Sequence, residues 1–376
     1  MIACEAFFQA LREAGVGVFA GVPDSLLAPF CAYVADYAEP RRHYAAANEG
    51  AAVALAAGHH LATGELGLVY MQNSGLGNAV NPLVSLIDSE VYGIPLLLLV
   101  GWRGEPGRAD EPQHRKQGRI TLPLFAALEI PHWLLPESTD AAVACVAEAA
   151  RAAREGRAVA LVAREGAFAA YRGTRSVSPG DALPLDREAV VRTLVDALPA
   201  EAVVVSTTGK ISRELCETRV RLGHDTRRDF LTVGSMGHAS PIALAVACAR
   251  PERRVVCLDG DGAVIMHMGN LASIGSRRPT NFTHVLVNNG SHDSVGGQPT
   301  AGFDVDLAAV ARACGYRTAS VVATEAELAA FLPAALSEPG PALLEVRVRR
   351  GARADLGRPT RSPAENKAGF MELLRG

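Results

Sequence analysis

Two short polar clusters stand out by residue type and spacing. In Asp259-Gly260-Asp261-Gly262-Ala263 a carboxylate lies between glycines at the end of an apolar run, residues 255–258. A second apolar run, residues 285–287, ends in Asn288-Asn289-Gly290-Ser291. Gly260 and Asn289 are 29 positions apart. That is the length of one turn, one helix and the next strand, so both polar ends should meet at the carboxyl edge of a parallel sheet, where ligands bind in such folds. Asp261 offers a carboxylate, Asn289 an amide oxygen, and the residues just past it backbone carbonyls. Such an oxygen set suits Mg²⁺ that also takes phosphate oxygens. Gly260 and Gly262 let the backbone approach a phosphate, and the helical pattern after them, through residue 275, presents free N–H groups. An ordinary strand-to-helix turn would explain Gly-Asp-Gly alone; the Asn pair at this spacing weighs against it.

A third polar group sits far away in sequence. Ala47-Asn48-Glu49-Gly50-Ala51 places a glutamate at a helix start, with Asn48 as N-cap, among Ala, Gly and Val. Burial there would desolvate the carboxylate and favour its protonated or shared-proton form. The modest alternative is a carboxylate answering the helix dipole. His114 and His292 lie among polar and glycine residues, which suits imidazoles that move protons near neutral pH. The chain has only three lysines, Lys116, Lys210 and Lys367, among 37 basic residues. Where any long cation suffices the chain uses Arg. The compact lysine charge therefore points to a phosphoryl or phosphonate contact for Lys116 or Lys210.

The elements that must carry these groups read as α/β. Apolar runs without period-two alternation fall at residues 16–19, 66–71, 95–100, 158–162, 203–206, 230–233, 255–258, 282–287 and 342–348. Helical patterns lie between them, among others at 51–62, 141–154, 239–249 and 307–313. The spacing predicts two doubly wound parallel-sheet domains, covered on both faces, with no central domain. Residues 1–170 form the first domain, the Gly/Ser/Pro-rich stretch 171–186 the linker, and 187–376 the second with a C-terminal tail. A second irregular stretch, 101–118, and the tail after Gly351 are candidate lids.

Composition narrows the field further. The 376 residues carry a net charge of −3 and no basic stripe, which excludes an ordinary nucleic-acid binder. No uncharged apolar run is long enough for a membrane span, and residues 1–15 read as an amphipathic helix, not a secretory signal. The seven scattered cysteines, with no C-x-x-C, suggest buried free thiols in a reducing cytoplasm and disfavour a zinc or iron–sulfur site.

From these residues a resemblance follows. Gly260-Asp261-Gly262 through Asn288-Asn289 resembles the diphosphate-binding signature of the thiamine-diphosphate enzymes. The resemblance implies thiamine diphosphate and Mg²⁺, the ion held by Asp261, Asn289 and the Ser291 carbonyl. Thr207-Thr208-Gly209-Lys210 looks like the family's first diphosphate-contacting turn, and Gly234-Ser235-Met236-Gly237 like the segment beneath the cofactor rings. Thr208, Lys210, Gly234, Met236, Gly260, Gly262, Ala263 and Asn288 are thereby implied as cofactor contacts, with Met236 bending the cofactor. Glu49 takes the place of the family's carboxylate beside the aminopyrimidine, in a pyrimidine-binding first domain. The second domain would bind the diphosphate, and sites would form between subunits of a homo-oligomer.

The order of the halves and the lack of a central domain resemble the compact decarboxylases of anionic 2-oxo acids. Further matches are Gly21-Val22-Pro23-Asp24-Ser25, residues 73–78, Asp110-Glu111-Pro112-Gln113-His114 and residues 289–298. The implied reaction is loss of CO₂ from 3-phosphonopyruvate to give phosphonoacetaldehyde, with sulfopyruvate as the alternative substrate. His292 and His114 are implied as proton donors, and Ser25, Asn73, Gln113 and Lys116 as substrate-side groups. A carboligase and a non-catalytic cofactor-binding paralogue are the remaining readings. A dinucleotide-binding enzyme would need G-x-G-x-x-G opening a helix, and none occurs.

Overall fold

A computed structural model of the chain describes residues 1–174 and 179–375. It divides into two compact units: Met1–Ser176 with Val295–Gln298, and Val177–Ser294 with Pro299–Gly376. Of the stretch 171–186, residues 175–178 lie outside the described residues. Its two ends are tied down. The Tyr171 hydroxyl and the Thr174 N–H both donate to Asp36 Oδ2, and Asp181 pairs with Arg350 at 2.6 Å.

The first unit holds β1 (Val16–Gly21), β2 (His43–Ala45), β3 (Leu66–Gln72), β4 (Leu96–Gly101), β5 (His132–Leu134) and β6 (Ala158–Ala163). They form one sheet in the order β2-β1-β3-β4-β6-β5, parallel throughout. The second unit holds β7 (Val203–Ser206), β8 (Asp229–Leu231), β9 (Val255–Gly260), β10 (Phe282–Asn288), β11 (Thr318–Val322) and β12 (Ala342–Arg347). Their order is β11-β12-β10-β9-β7-β8, again parallel.

Why the apolar runs do not alternate is visible in the packing. Along β3, Leu68 and Tyr70 enter one apolar cluster while Val69 and Met71 enter another. Along β9 and β10, Val256, Leu258, Val285 and Val287 face one cluster, and Val255, Cys257 and Leu286 the opposite one. Helices bury both faces of the central strands, so apolar residues run there without alternation. The strands unseen in the sequence are β2, β5 and β11. The first two are three residues long, and β11 is a largely exposed edge whose Thr-Ala-Ser start carries no apolar signal.

Three local differences matter for the site. The stretch 101–118 is irregular only to Glu111; Pro112 opens the helix Pro112–Ala127, at the first-turn position where its missing N–H costs nothing. The helical pattern after Gly260 is two short helices, Asp261–Met266 and Gly269–Arg277. Finally, the C-terminal helix Pro363–Arg375 closes the sheet edge at β8. Asn366 Oδ1 accepts from the Leu231 N–H at 3.0 Å and its Nδ2 donates to the Asp229 carbonyl at 2.8 Å.

Candidate active site

In the first unit the polar groups gather at the carboxyl ends of the strands. Asn48 accepts from the Ala51 N–H at 2.9 Å and starts the helix Glu49–Thr63, which leaves Glu49 in its first turn and buried. Asn78 Nδ2 donates to Glu49 Oε2 at 2.8 Å. Gly75 closes over the other oxygen: a Cβ there would stand 2.3 Å from Glu49 Oε1. Only glycine lets the chain pass so near the carboxylate.

A second cluster follows β4. Arg103 grips Asp110 through Nε, at 2.8 Å, and Nη2, and sends Nη1 to Ser25 Oγ at 3.0 Å. Asp110 Oδ1 lies 3.0 Å from His114 Nδ1, and the carboxylate also accepts the N–H groups of Gly104 and Glu111. Burial works against ionisation of Asp110, but Arg103, His114 and these N–H groups outweigh it and hold the carboxyl well below its usual range. The buried His114 ring is thus fixed at Nδ1, leaving Nε2 for other work. Beneath, the buried carboxylate of Asp24 accepts from Gln72 Nε2 at 2.7 Å and from the Leu26 N–H.

Of the substrate-side residues named from sequence, Ser25 joins this cluster through Arg103. Asn73 is spent inside the protein: its amide bonds the Arg103 carbonyl, the Arg103 N–H and Thr121 Oγ1, which anchors the turn bearing Arg103. Gln113 keeps a buried Oε1 without a protein partner, a free acceptor for a ligand. Lys116 is exposed on the helix Pro112–Ala127. Sequence reading passed over Arg103, Asp110 and Asn78 as individual residues. Each lay in a segment already marked as unusual, but their partnership exists only in the fold.

In the second unit, Val287 of β10 pairs with Gly260 of β9, so the two polar strand ends lie side by side. Asp261 is buried and accepts from Thr300 Oγ1. Burial raises its pKa to about 6, against the opposing pull of Thr300 and the N–H groups of Asn289, Asp261 and Gly262. Asn289 Oδ1 accepts from the Ser291 N–H at 3.0 Å, and its Nδ2 donates to Asp293 Oδ2 at 2.9 Å. Asn288 is wholly buried and engaged at each amide atom: Nδ2 with the Gly302 carbonyl and Glu345 Oε1, Oδ1 with the Gly290 N–H. It ties β10 to β12. Gly302 is forced, since a Cβ would stand 2.5 Å from Asn288 Oδ1 and 2.6 Å from Asp261 Oδ2.

Of the remaining residues, the fold brings Met236, His292 and Lys210 near this pair. A Cβ at Gly262 would touch the His292 ring at 3.0 Å and the Met236 methyl at 3.3 Å, which places Met236 and His292 against the Gly-Asp-Gly turn. Ala263 is buried in that turn. Burial alone lowers His292 to about 4, so its ring is neutral at pH 7. Gly234 precedes Ser235, a non-glycine residue at φ 52°, a sparsely populated geometry that concentrates at functional sites. Thr208 precedes Gly209 at φ 98°, and Lys210 Nζ donates to the Asp293 carbonyl at 3.1 Å.

The donors fit a hard cation. A buried carboxylate with a raised pKa lies beside an amide oxygen and a chain turn at Gly290 and Ser291, with no sulfur or imidazole ligand in the set. Asp261, Asn289 and Ser291 could hold Mg²⁺, and Gly260, Gly262 and Ala263 lie at the turn that follows β9 beside them. Among the described residues one other trio of ligand types meets, Cys257, Asp259 and His284, all fully buried. Burial pushes the Cys257 thiol well up, so it stays a neutral donor to Asp259, whose Oδ1 holds the Gly260 N–H at 2.9 Å. All seven cysteines are free, four of them buried and Cys248 exposed.

Comparison with known proteins agrees with this architecture. Residues 1–123 match the thiamine pyrophosphate enzyme N-terminal TPP binding domain, and residues 218–346 the C-terminal TPP binding domain. A phosphonopyruvate decarboxylase of Streptomyces hygroscopicus is 40% identical, with 99% of this chain and 94% of that protein aligned. One from Streptomyces viridochromogenes is also 40% identical, over 100% of this chain and 95% of its own length. The sulfopyruvate decarboxylase subunit beta of Methanococcus maripaludis is 34% identical, over 51% of this chain and 100% of its own. The chain belongs to the thiamine pyrophosphate enzymes, in the branch that holds these phosphonopyruvate decarboxylases.

Proposed function

We propose that the protein removes CO₂ from 3-phosphonopyruvate, without oxidation, to give phosphonoacetaldehyde, using thiamine diphosphate and Mg²⁺. The observation that carries this is the 40% identity to a phosphonopyruvate decarboxylase across 99% of the chain. When bound, thiamine diphosphate supplies the electron sink for the bond that breaks. Glu49, buried and steadied by Asn78, would hold and exchange a proton at Oε1 once the cofactor is bound. Asp261, Asn289 and the Ser291 carbonyl would hold the metal, and the turns at Thr208–Lys210 and Gly260–Ala263 would take the diphosphate. Gly234 and Met236 support the rings.

Of the two histidines, His114 is assigned the proton delivery. Its Nδ1 lies 3.0 Å from the Asp110 carboxylate, which orients the ring and leaves Nε2 to deliver a proton. His292, with its pKa near 4, acts as a neutral hydrogen-bond partner. Ser25, Gln113 and Arg103 line the substrate side, and the segments 102–111 and 351–362 exclude water. Asn288 supports the metal site from below. The domains are the pyrimidine-binding residues 1–170 and the diphosphate-binding residues 187–376, and at least two copies make the working unit. The free thiols fit the cytoplasm; among the described residues no helix is long and apolar enough to cross a membrane.

Sulfopyruvate is the second reading, favoured by the kinship with a sulfopyruvate decarboxylase subunit. Measuring CO₂ release from both acids, with and without thiamine diphosphate and Mg²⁺, decides. Turnover of phosphonopyruvate is expected to exceed that of sulfopyruvate and to need both additions; cofactor-independent release or a preference for the sulfonate would refute the proposal.

A further inference from the structure

The geometry points to Asp293 as the residue that orients Asn289 toward the metal, with Arg187 and the Gly351 N–H holding Asp293 in place. This inference rests on the reading of Asn289 as a metal ligand. An asparagine can bind a cation only through Oδ1; flipped by half a turn, it would offer the NH₂ group instead. Here one end is pinned by an acceptor oxygen: Nδ2 donates to Asp293 Oδ2 at 2.9 Å, while Oδ1 faces the Ser291 N–H at 3.0 Å. A flip would set Oδ1 against a carboxylate and Nδ2 against an N–H, two repulsions where there had been two bonds.

Asp293 can do this because it is itself fixed. The same Oδ2 also accepts from Arg187 Nη1 at 3.1 Å and from the Gly351 N–H at 2.9 Å. Arg187 has no freedom to wander. Its Nε and Nη2 form a fork with Glu214 at 2.7 and 2.8 Å, in a pair whose side chains are 5% and 2% exposed. Nη2 also reaches the Gly351 carbonyl at 3.1 Å. The start of the helix Arg187–Ala197 and the chain just past β12 therefore converge on the oxygen that sets the Asn289 amide. Asp293 touches no reacting atom; it is a positioning residue, and partners of this kind govern metal affinity by about 10–100-fold.

The test is calorimetric titration of Mg²⁺ into the full chain at fixed thiamine diphosphate, for wild type, Asp293→Ala, Asp293→Asn and Asp261→Ala. Asp293→Ala is expected to raise the half-saturating Mg²⁺ concentration by about tenfold or more. Asp293→Asn, whose amide oxygen can take the same three bonds, recovers most of that loss. Wild-type Mg²⁺ dependence in Asp293→Ala would overturn the proposal, as would an Asp293→Asn as weak as Asp293→Ala, since charge alone would then be at work. Should Asp293→Ala not fold, Asp293→Ser, too short to reach, takes its place with the same expectation. Asp261→Ala separates the two levels. If it keeps wild-type Mg²⁺ dependence, the ligand set itself is wrong; if it loses binding while Asp293→Ala does not, only the orienting role fails. Melting of the cofactor-free protein gives an independent readout: a mere structural strap would lower the melting temperature of Asp293→Ala and leave its Mg²⁺ titration unmoved.

Discussion

Both six-stranded sheets present polar groups at the carboxyl ends of their strands, yet they do so differently. In the first unit the carboxylate of Glu49 is held by one amide, from Asn78, and shielded by the backbone at Gly75. In the second, Asp261, Asn288, Asn289 and Asp293 sit in a dense web in which most polar atoms already have partners. A group that must gain and lose a proton needs slack and little competition. A group that must present an oxygen to a cation needs rigidity.

That contrast can be broken from either side. The largest effect is expected from Glu49→Gln, which keeps the Asn78 contact but cannot ionise. Turnover should fall by about a hundredfold or more, while thiamine diphosphate still binds by calorimetry; unchanged turnover would remove Glu49 from the chemistry. Next come two matched glycines. Gly75→Ala places a methyl 2.3 Å from Glu49 Oε1 and is expected to lower kcat by roughly tenfold or more with cofactor affinity retained. Gly302→Ala places one 2.6 Å from Asp261 Oδ2 and is expected to do the reverse, weakening Mg²⁺-dependent cofactor binding by about tenfold. Steady-state kinetics against cofactor titration tells them apart, and the same loss from both would erase the distinction.

A smaller effect concerns Asp110. Its folded pKa is depressed, so its contribution to stability is present above the ordinary carboxylate range and fades as pH falls below about 4. Asp110→Asn should cost about 1 kcal/mol or more at pH 7 and visibly less at pH 3, read as denaturation midpoints; a pH-independent cost would contradict the pairing. It should also lower kcat in steady-state kinetics, because His114 loses the carboxylate that orients its ring. The smallest effect is expected from Lys116→Ala. The side chain is exposed, and turnover should stay within about twofold; a larger loss would mark this helix lysine as a substrate contact.

How much of this was legible in the sequence follows the same divide. The second unit's site is local: Gly260-Asp261-Gly262 and Asn288-Asn289 lie at the ends of adjacent strands, and a parallel pair separated by one short helical crossover turns a spacing into a distance. The first unit's cluster is tertiary. Ser25, Asn73, Arg103 and Asp110 follow three different strands, and nothing in their local sequence states that Arg103 would bridge Ser25 and Asp110. Pro112 misled because proline marks a loop and a helix start equally well, and the structure uses it for the latter. Asn288 and Asn289 are neighbours of one type, yet alternate strand geometry sends one into the protein and the other to the site edge, a difference composition cannot carry.

The bonds from Asn366 to the backbone of β8 have a consequence outside catalysis. A terminal strand with bare N–H and C=O groups is a template on which other chains can polymerise. By capping that border with one side chain from the last helix, the protein takes the Leu231 N–H and the Asp229 carbonyl out of reach of another chain. A chain trimmed before Pro363, or carrying Asn366→Ala, would regain a sticky margin, and its first symptom would be turbidity at high concentration, before any loss of turnover per intact molecule.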